Sequence, residues 1–555
     1  MTDAAHAAAR SRAFELIWEV QNTVGAPLDE LDAVLAQASE LGWQDVIAAC
    51  LLARVLHARW QSEPSIVEWV ARLQAAAEEL QDRAMLAAAL ASRALGPHAA
   101  ATGMSSLEAD AELARAIALL DACDSPALER MNAHLQCGVA LFDRGLWELQ
   151  DEQYAQAELL LQEVGDSLVA AVLLYNQASV HLTWAMAVRC VDPTAVVSQV
   201  DRVRGSLQEA LALEAMPEDW RGELALMAVL TEGLAGEPVA QQVEELIPLH
   251  PEGPLAGDLP LALALMDDEV GLDRALAAAR RAAEQFDRTS FPVEYELALC
   301  LAAELAARRD GVADGLVYAR HLAVRRWQQR MAALDVMRLR IETERHRDHH
   351  DQLRRQAYLD PLTGLANRRG LQHYLDTLAQ RDVDGVCVLL VDLDWFKQVN
   401  DRFGHAVGDE ALVEVAKALS GSIRAEDLAC RLGGDEFMVV LSTPLIKAAW
   451  QRGEQVLSRL RSRPWRERRP ELELSVSIGI ASGRLADWDD VVAAADATLY
   501  ESKEAGRGRV SGPHPESSSD ESSPDESWSD ESWSDEPSSD TSSSAESSLQ
   551  ASVEG

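Results

Sequence analysis

Two pairs of acidic residues stand where apolar, strand-like runs end. Asp392 and Asp394 close the run VLLVDLDWF, and Asp435 and Glu436 follow two glycines in RLGGDEFMVVL. Mg²⁺ prefers hard oxygen ligands and usually takes one or two carboxylates together with substrate phosphates. If the two strands pair, Asp392 and Asp435 can share a metal ion next to a phosphate-bearing substrate.

A surface hairpin is the plainer interpretation of RLGGDEFMVVL, and lysine usage helps to decide between the two. Only four of the 50 basic residues are lysine, and none precedes Lys397. In a chain that prefers arginine this strongly, a drifting surface position would show arginine. Lys397, close behind Asp394, is therefore a candidate phosphate contact, since an ammonium is a compact point charge. Lys417 and Lys447 are interpreted as solvated helix residues.

The elements that must position these residues are predicted over 358–511. Strand-like and helical runs alternate there in the order β-α-β-β-α-β, followed by a final helix. This order predicts the ferredoxin-like, palm-type arrangement of an α+β domain. Two glycines before Asp435 let the turn adopt positive φ and bring the backbone close to a nucleotide.

Residues 1–315 predict an all-helical domain. Apolar residues recur at spacings of three and four, and short Gly, Asp or Pro breaks separate helix pairs. The period of roughly 35–45 residues favours a solenoid of helical repeats. The pattern is similar to tetratricopeptide-type repeats, although no segment carries their full signature. A sensor or docking platform and a purely structural domain are both compatible with it.

Residues 316–357 predict one connecting helix, because neither Gly nor Pro interrupts the helical pattern beyond position 315. An apolar seam with breaks at Arg338 and Arg345 indicates a short, imperfect coiled coil. The seam consists of Val324, Trp327, Met331 and Leu334. Three histidines could imitate a metal cluster, but a solvated helix face is the preferred interpretation; they are His346, His349 and His350.

Charge and composition exclude several classes. With 91 acidic and 50 basic residues the formal charge is −41, which argues against binding a nucleic-acid polymer or an anionic membrane surface. Seven scattered cysteines without a CxxC pair indicate reduced thiols. The N-terminal residues lack the apolar core of a secretory signal, so a cytoplasmic protein is expected.

Two further segments need an interpretation. Residues 167–188 contain no charged side chain, yet Asn176, Gln177, His181 and Thr183 would be costly in hydrocarbon. A buried helix is therefore preferred to a membrane span. Residues 512–555 are a Ser/Asp/Glu low-complexity tail and are predicted to be disordered.

The motifs in 358–511 resemble those of the GGDEF family of diguanylate cyclases. Gly433 to Phe437 reproduce the signature letter for letter. Four other runs match in order: DPLTGLANRR from Asp360, DLDWFKQVND from Asp392 with the following GH and GD, SVSIGIA from Ser475, and LYESK from Leu499 with the following GR. Five ordered motifs make a chance agreement negligible.

The resemblance implies a reaction and its metal site. Two domains, each holding one GTP, would join them into cyclic di-GMP and two pyrophosphates. Asp392 and Asp435 would bind Mg²⁺ or Mn²⁺ through their carboxylates, and Leu393 through its backbone carbonyl. Asp435 would also accept the proton of the ribose 3′-hydroxyl, with Glu436 supporting metal and nucleotide.

The resemblance also implies a GTP site. Asn400 and Asp409 would read the guanine edge, and His405 would lie near the nucleotide. Two groups of residues would contact the phosphates: Phe396 and Lys397, with Lys397 stabilising the transition state, and Lys503 and Arg507 at the γ-phosphate.

A second binding site is implied by Arg424 and Asp427. They form an RxxD motif nine residues before Gly433, where the family binds its product as an inhibitor. An arginine fork can bind a guanine edge or a phosphate bidentately. An ordinary ion pair at a helix end is the alternative.

Three functions follow as hypotheses. The first is a cyclase that works as a homodimer, binds GTP and cyclic di-GMP, and is regulated by its helical region through an unidentified partner. The second is a catalytically silent receptor of cyclic di-GMP. The third is a scaffold whose helical region carries the main function.

Overall fold

The computed structural model describes residues 2–22, 27–121, 123–247, 257–286, 291–381, 383–462, 472 and 474–513. The chain divides into two compact units, Met1–Leu353 and Arg354–Gly555, and each is described by itself. The predicted tail lies outside the described residues from 514 onward.

The first unit is built from helices. In chain order they are α1 (Thr2–Asn22), α2 (Leu28–Leu41), α3 (Gln44–Trp60), α4 (Ile66–Leu80), α5 (Arg83–Ala94), α6 (Gly96–Thr102), α7 (Ser106–Leu120), α8 (Ala127–Phe142), α9 (Trp147–Val164), α10 (Ser167–Val191), α11 (Val196–Ala212), α12 (Glu218–Ala235), α13 (Ala240–Leu246), α14 (Asp258–Ala264), α15 (Asp267–Val270), α16 (Leu272–Gln285), α17 (Pro292–Asp310) and α18 (Asp314–Tyr358), the last of which continues into the second unit.

Local sequence sets where several of these helices begin and end. Ser105 and Glu108 form a reciprocal capping box at the start of α7. The Asp166 carboxylate accepts hydrogen bonds from the first free N–H groups of α10. Glycines in the left-handed conformation end α2 and α9, at Gly42 and Gly165. The predicted helical domain is confirmed, whereas its kinship with tetratricopeptide repeats stays a prediction.

Two hydrophobic cores lie within the first unit, and α10 contributes to both. Val169 and Leu173 of α10 belong to the core formed by the helices before it. Ala178 and Leu182 belong to the core formed by the helices after it. This explains why its sequence is apolar on nearly every side.

The membrane span that the α10 sequence could imitate does not occur. Gln177, His181 and Thr183 are buried within the unit. His181 contacts the Ser206 hydroxyl at 2.7 Å through Nδ1 and the Asp151 carboxylate at 2.9 Å through Nε2. Within the described ranges, no helix is long and apolar enough to cross a bilayer.

Helix α18 confirms the predicted uninterrupted helix and packs along the first core. Leu334, Met337 and Ile341 are each at most 3% exposed against that core. Arg330 donates two hydrogen bonds to the Glu148 carboxylate, at 2.6 and 2.8 Å. Of the four residues of the predicted apolar seam, only Leu334 is fully buried. Trp327 and Met331 are partly buried against the first core, and Val324 is exposed.

The outer face of α18 carries exposed apolar side chains. Val336, Leu339 and Leu353 are 50%, 69% and 50% exposed. Among the described residues, no group of three or more His, Cys, Asp or Glu side chains could hold a metal ion. His346, His349 and His350 of α18 are also exposed, as expected of a solvated face.

The second unit has a five-stranded sheet covered by helices. Its described elements after α18 are α19 (Arg368–Gln380), β1 (Gly385–Leu393), α20 (Phe396–Phe403), α21 (His405–Ser420), β2 (Leu428–Gly433), β3 (Glu436–Leu441), α22 (Ile446–Ser462), β4 (Val476–Arg484), a 3-10 turn (Leu485–Asp487), α23 (Trp488–Glu504) and β5 (Val510–Ser511).

The strand order is β2-β3-β1-β4-β5. The first four strands are antiparallel and reproduce the predicted ferredoxin-like order, while the short β5 adds a parallel edge. Alternate residues of the central β1 pack into two cores. Leu389 and Val391 face α21 and α22, whereas Val388 and Leu390 face α19 and α23. Burial on both faces explains the continuous apolar run in β1.

Candidate active site

The ends of β1 and β3 bring the predicted metal ligands together. Asp392 pairs with Glu436 across the two strands. The backbone N–H of Leu393 donates to the Asp435 carbonyl at 3.2 Å. The two aspartates that lie 43 positions apart in sequence thus share one end of the sheet, as the sequence predicts.

A two-residue turn of Gly434 and Asp435 joins β2 to β3. Gly433 and Gly434 have φ of 144° and 57°, a region that residues with a Cβ rarely adopt, and open space surrounds both. The predicted positive φ is confirmed. Asp435 therefore lies at the tip of a tight turn, where it is partly exposed.

Arg431 stabilises this turn, although no sequence pattern singled out this residue. Its Nε and Nη2 atoms donate to the Gly434 carbonyl at 3.0 and 2.8 Å, and Nη1 donates to Asp360 at 3.1 Å. Although burial opposes it, hydrogen bonds from Thr363 and Arg431 hold the pKa of Asp360 below its ordinary value. One guanidinium thus ties the signature turn to the first family-like motif.

Asp392 lies in a half-buried site beside a lysine. The Nζ atom of Lys503 lies 2.8 Å from the Asp392 carboxylate, whose side chain is 15% exposed. Burial raises the pKa of Asp392 above its ordinary value, and the nearby charges of Asp435 and Asp394 act in the same direction, whereas Lys503 opposes them. The surroundings of Asp392 therefore favour a neighbouring cation.

This donor set fits a divalent metal ion that a substrate helps to ligate. The half-buried Asp392 carboxylate already attracts a cationic partner, Asp435 is partly exposed at the turn, and Leu393 directly follows Asp392 in the sequence. Two carboxylates and a carbonyl leave positions for phosphate oxygens and water, which is the usual arrangement for Mg²⁺.

Asp394, the second acid of the first pair, has a structural position. It is 4% exposed, and its carboxylate accepts hydrogen bonds from the hydroxyls of Ser475 at 2.5 Å and Ser477 at 2.7 Å. The Gly508 N–H adds a third, at 3.1 Å. Asp394 thereby joins β4 and the segment after α23 to the end of β1.

The predicted nucleotide contacts lie on α20 and α21. Lys397, His405 and Asp409 are exposed, whereas Asn400 is half-buried. A Cβ at Gly408 would collide with the Asn400 amide oxygen and lie 3.3 Å from the Phe396 ring. The glycine therefore allows α20 and α21 to approach closely at the predicted guanine site.

Arg507 and Lys503, which were predicted to hold one phosphate group, have different partners. Lys503 pairs with Asp392, whereas the Arg507 guanidinium lies 4.1 Å from the centre of the Trp395 ring. Trp395 is 56% exposed and has a positive φ of 59°. Trp395 was not singled out from the sequence, although a tryptophan directly before Phe396 is a residue to which a cation can bind.

The Arg424–Asp427 motif forms a turn in which the Arg424 side chain is exposed. The Asp427 carboxylate accepts from the backbone N–H groups of Arg424 at 3.2 Å and Ser442 at 3.1 Å. The Arg424 side chain is 68% exposed, with Glu426 at 3.6 Å. Asp427 therefore orders the turn, and the Arg424 guanidinium projects into solvent.

Comparison with known proteins places this unit in a family. Residues 357–509 match the family model described as "Diguanylate cyclase, GGDEF domain". The second unit therefore contains a GGDEF domain.

Two curated relatives illustrate the match. The response regulator PleD of Caulobacter vibrioides is 37% identical over 163 residues, which are 28% of this chain and 36% of PleD. The diguanylate cyclase DgcP of Pseudomonas aeruginosa is 38% identical over 170 residues, 29% of this chain and 25% of DgcP. The chain thus spans about a third or less of these relatives.

A solved structure also resembles the chain. It is the coiled coil and GGDEF domain of DgcB from Caulobacter crescentus in complex with c-di-GMP, 30% identical, with a TM-score of 0.30. The match covers 34% of this chain and 99% of that one.

Proposed function

We propose that this protein is a cytoplasmic diguanylate cyclase, which condenses two GTP molecules into cyclic di-GMP and two pyrophosphates. The observation that carries the proposal is the meeting of Asp392, Asp435 and Lys503 at one end of the sheet. The relatedness of the GGDEF domain to DgcP, named a diguanylate cyclase, supports it.

Each side chain then has a role. Each ribose 3′-oxygen attacks the α-phosphorus of the opposite GTP, and pyrophosphate leaves. Asp435 accepts the 3′-hydroxyl proton, and Glu436 supports the metal and the nucleotide. Asn400 and Asp409 bind the guanine edge, and His405 lies near the base. Asp392, the Leu393 carbonyl and Asp435 would hold Mg²⁺ or Mn²⁺, which would lower the pKa of the attacking hydroxyl and neutralise phosphate charge.

The phosphates meet a cationic and aromatic rim. Phe396 and Lys397 stand at the start of α20, directly after the β1 turn. Lys397 stabilises charge that develops in the transition state, and Lys503 and Arg507 hold the γ-phosphate. Because one domain binds only one GTP, a homodimer is required, and the helical unit with its partner regulates how the domains pair.

Product formation tests the proposal directly. Purified protein incubated with GTP and Mg²⁺ should yield cyclic di-GMP, identified by HPLC. Asp435→Ala should abolish turnover, while Lys447→Gln, an exposed lysine on α22, should leave it unchanged. Absence of product from a dimeric wild-type protein, or full activity of Asp435→Ala, would contradict the proposal.

A silent receptor is the second candidate, favoured by the exposed guanidinium of Arg424. In both candidates Arg424 and Asp427 bind cyclic di-GMP, and in an active enzyme this binding inhibits turnover. Isothermal titration with cyclic di-GMP separates the two. Binding lost in Arg424→Ala but kept in Asp435→Ala, with no turnover in wild type, would establish the receptor.

A further inference from the structure

A cavity of about 630 Å³ lies in the helical unit, and its lining includes none of the residues assigned to GTP or to cyclic di-GMP. Its walls come from the end of α7, one face each of α8 and α9, and Arg345 of α18. This volume is within the usual range of small-ligand pockets.

The α8 wall presents two polar groups that lack partners. His134 is 9% exposed, and its Nδ1 contacts the Gln153 amide oxygen at 3.0 Å. If Nδ1–H donates there, Nε2 of the neutral ring is an acceptor, and it has no hydrogen-bond partner among the described residues. The Nε–H of Arg130 is also buried without a partner. Such groups normally find partners, and these two line a cavity.

The cavity combines both charges with an apolar wall. Arg130 and Arg345 are its cations, and the Glu163 carboxylate lies 3.5 Å from Nη2 of Arg130. Ile117 and Leu120 supply apolar surface, and Leu159 lies beside them with 68% of its surface exposed. A carboxylate could accept from Arg130, an ammonium could donate to Glu163 and His134, and a hydrocarbon could cover the leucines.

We propose that this cavity binds a small zwitterion, an α-amino acid with an apolar side chain. The carboxylate pairs with the Arg130 guanidinium, the ammonium pairs with Glu163 and Nε2 of His134, and the side chain packs on Ile117, Leu120 and Leu159. This site is independent of the proposed cyclase activity, because none of its residues belongs to the GGDEF domain.

Calorimetric titration and thermal unfolding of the full chain test the proposal. The probes are L-leucine, L-isoleucine, L-methionine and L-phenylalanine, each alone, since a ligand that binds the native state raises the melting temperature. At least one should bind, and 4-methylpentanoate and 3-methylbutylamine, which lack one charge of leucine, should bind more weakly. No binding by all four, or equal binding of the singly charged analogues, would overturn the proposal.

Variants place the ligand in the cavity. Arg130→Gln should weaken binding about ten- to a hundredfold, as loss of a hydrogen bond to a charged group would. Arg115→Gln, an exposed position on α7 outside the cavity lining, should bind like wild type. The more exposed Glu163→Gln guards against misfolding of the first variant, and should also weaken binding. Unchanged affinity in both cavity variants would refute the site.

Discussion

The surroundings of Asp392 disfavour its ionised form, and this predicts how the free energy of unfolding depends on pH. Its pKa in the folded chain is raised above the ordinary value by burial and by Asp435 and Asp394. Ionised Asp392 therefore costs folding free energy above the folded pKa, and this cost disappears once pH falls below the unfolded value.

The first prediction follows from that sign. Asp392→Asn, which imitates the protonated form, should raise the melting temperature of the metal-free protein at pH 7. The difference should shrink toward zero near pH 4. Thermal unfolding followed by circular dichroism between pH 4 and pH 8 measures it. A stabilisation that grows as the pH falls would contradict the assigned cause.

A metal titration gives the matching control. Mg²⁺ should raise the melting temperature of wild type but not of Asp392→Asn, because the variant lacks a proposed ligand. Asp376→Asn, an exposed position on α19, should behave like wild type in both experiments.

At the scale of elements, the β2–β3 turn depends on a side chain outside it. Arg431 holds the Gly434 carbonyl and Asp360 at once. Arg431→Lys keeps the charge but loses the planar fork, so the second prediction is a fall in kcat of about ten- to a hundredfold with a smaller change in KM.

A double-mutant comparison identifies the cause. If Arg431 acts through Asp360, the effects of Arg431→Lys and Asp360→Asn should be clearly less than additive. Arg452→Lys on α22 is the control, and strict additivity would refute the connection.

Helix α18 yields the third prediction, since its two faces differ. Ile341→Ala removes a side chain that is 3% exposed and should lower the free energy of unfolding by about 2–4 kcal/mol. Leu339→Ala, two residues earlier and 69% exposed, should change it little. Urea unfolding followed by tryptophan fluorescence compares them. Equal losses would show that α18 does not pack as described.

The sequence predicted the parts of the site that depend on local patterns and missed the parts that depend on contacts between residues far apart in the chain. Asp392 lies at the end of β1 and Asp435 in the turn directly before β3, and the apolar character of these strands predicts their pairing, so the meeting of the two aspartates follows from local patterns. Asp394 and Arg431 act through partners that lie far away in sequence, Ser475 and Asp360. No local periodicity encodes such contacts.

The same limit applies to whole elements. The spacing of apolar residues predicted that α18 is one helix, but not that Leu334 would be covered by the preceding helices. Burial of β1 on both faces likewise required knowing that helices lie on either side.

At the scale of the whole molecule, the fourth prediction concerns concentration. If two domains must meet, the turnover per mole of protein should rise with protein concentration until dimers predominate. Enzyme dilution series with sedimentation velocity measure both quantities. Constant specific activity in solutions shown to contain only monomer would contradict the dimeric mechanism.

Regulation by the helical unit is checked in the same assay. A fragment of residues 354–513, which begins at the boundary between the two units, should differ in activity from the full chain at low protein concentration. Equal activity would remove the regulatory role. A scaffold function would instead be indicated if signalling in cells survived Asp435→Ala but not loss of the helical unit.

The two cores that share α10 also decide where the polypeptide can be shortened. A cut on either side of α10 would strip one wall from a core, and a cut at residue 315 would leave Leu334, Met337 and Ile341 uncovered on a separated helix. Such fragments would expose apolar surface and would associate through it. A dimer formed by a fragment that begins at residue 316 would therefore be an artefact of the uncovered face of α18. A fragment that begins at residue 354 lacks Leu334, Met337 and Ile341 and avoids this artefact.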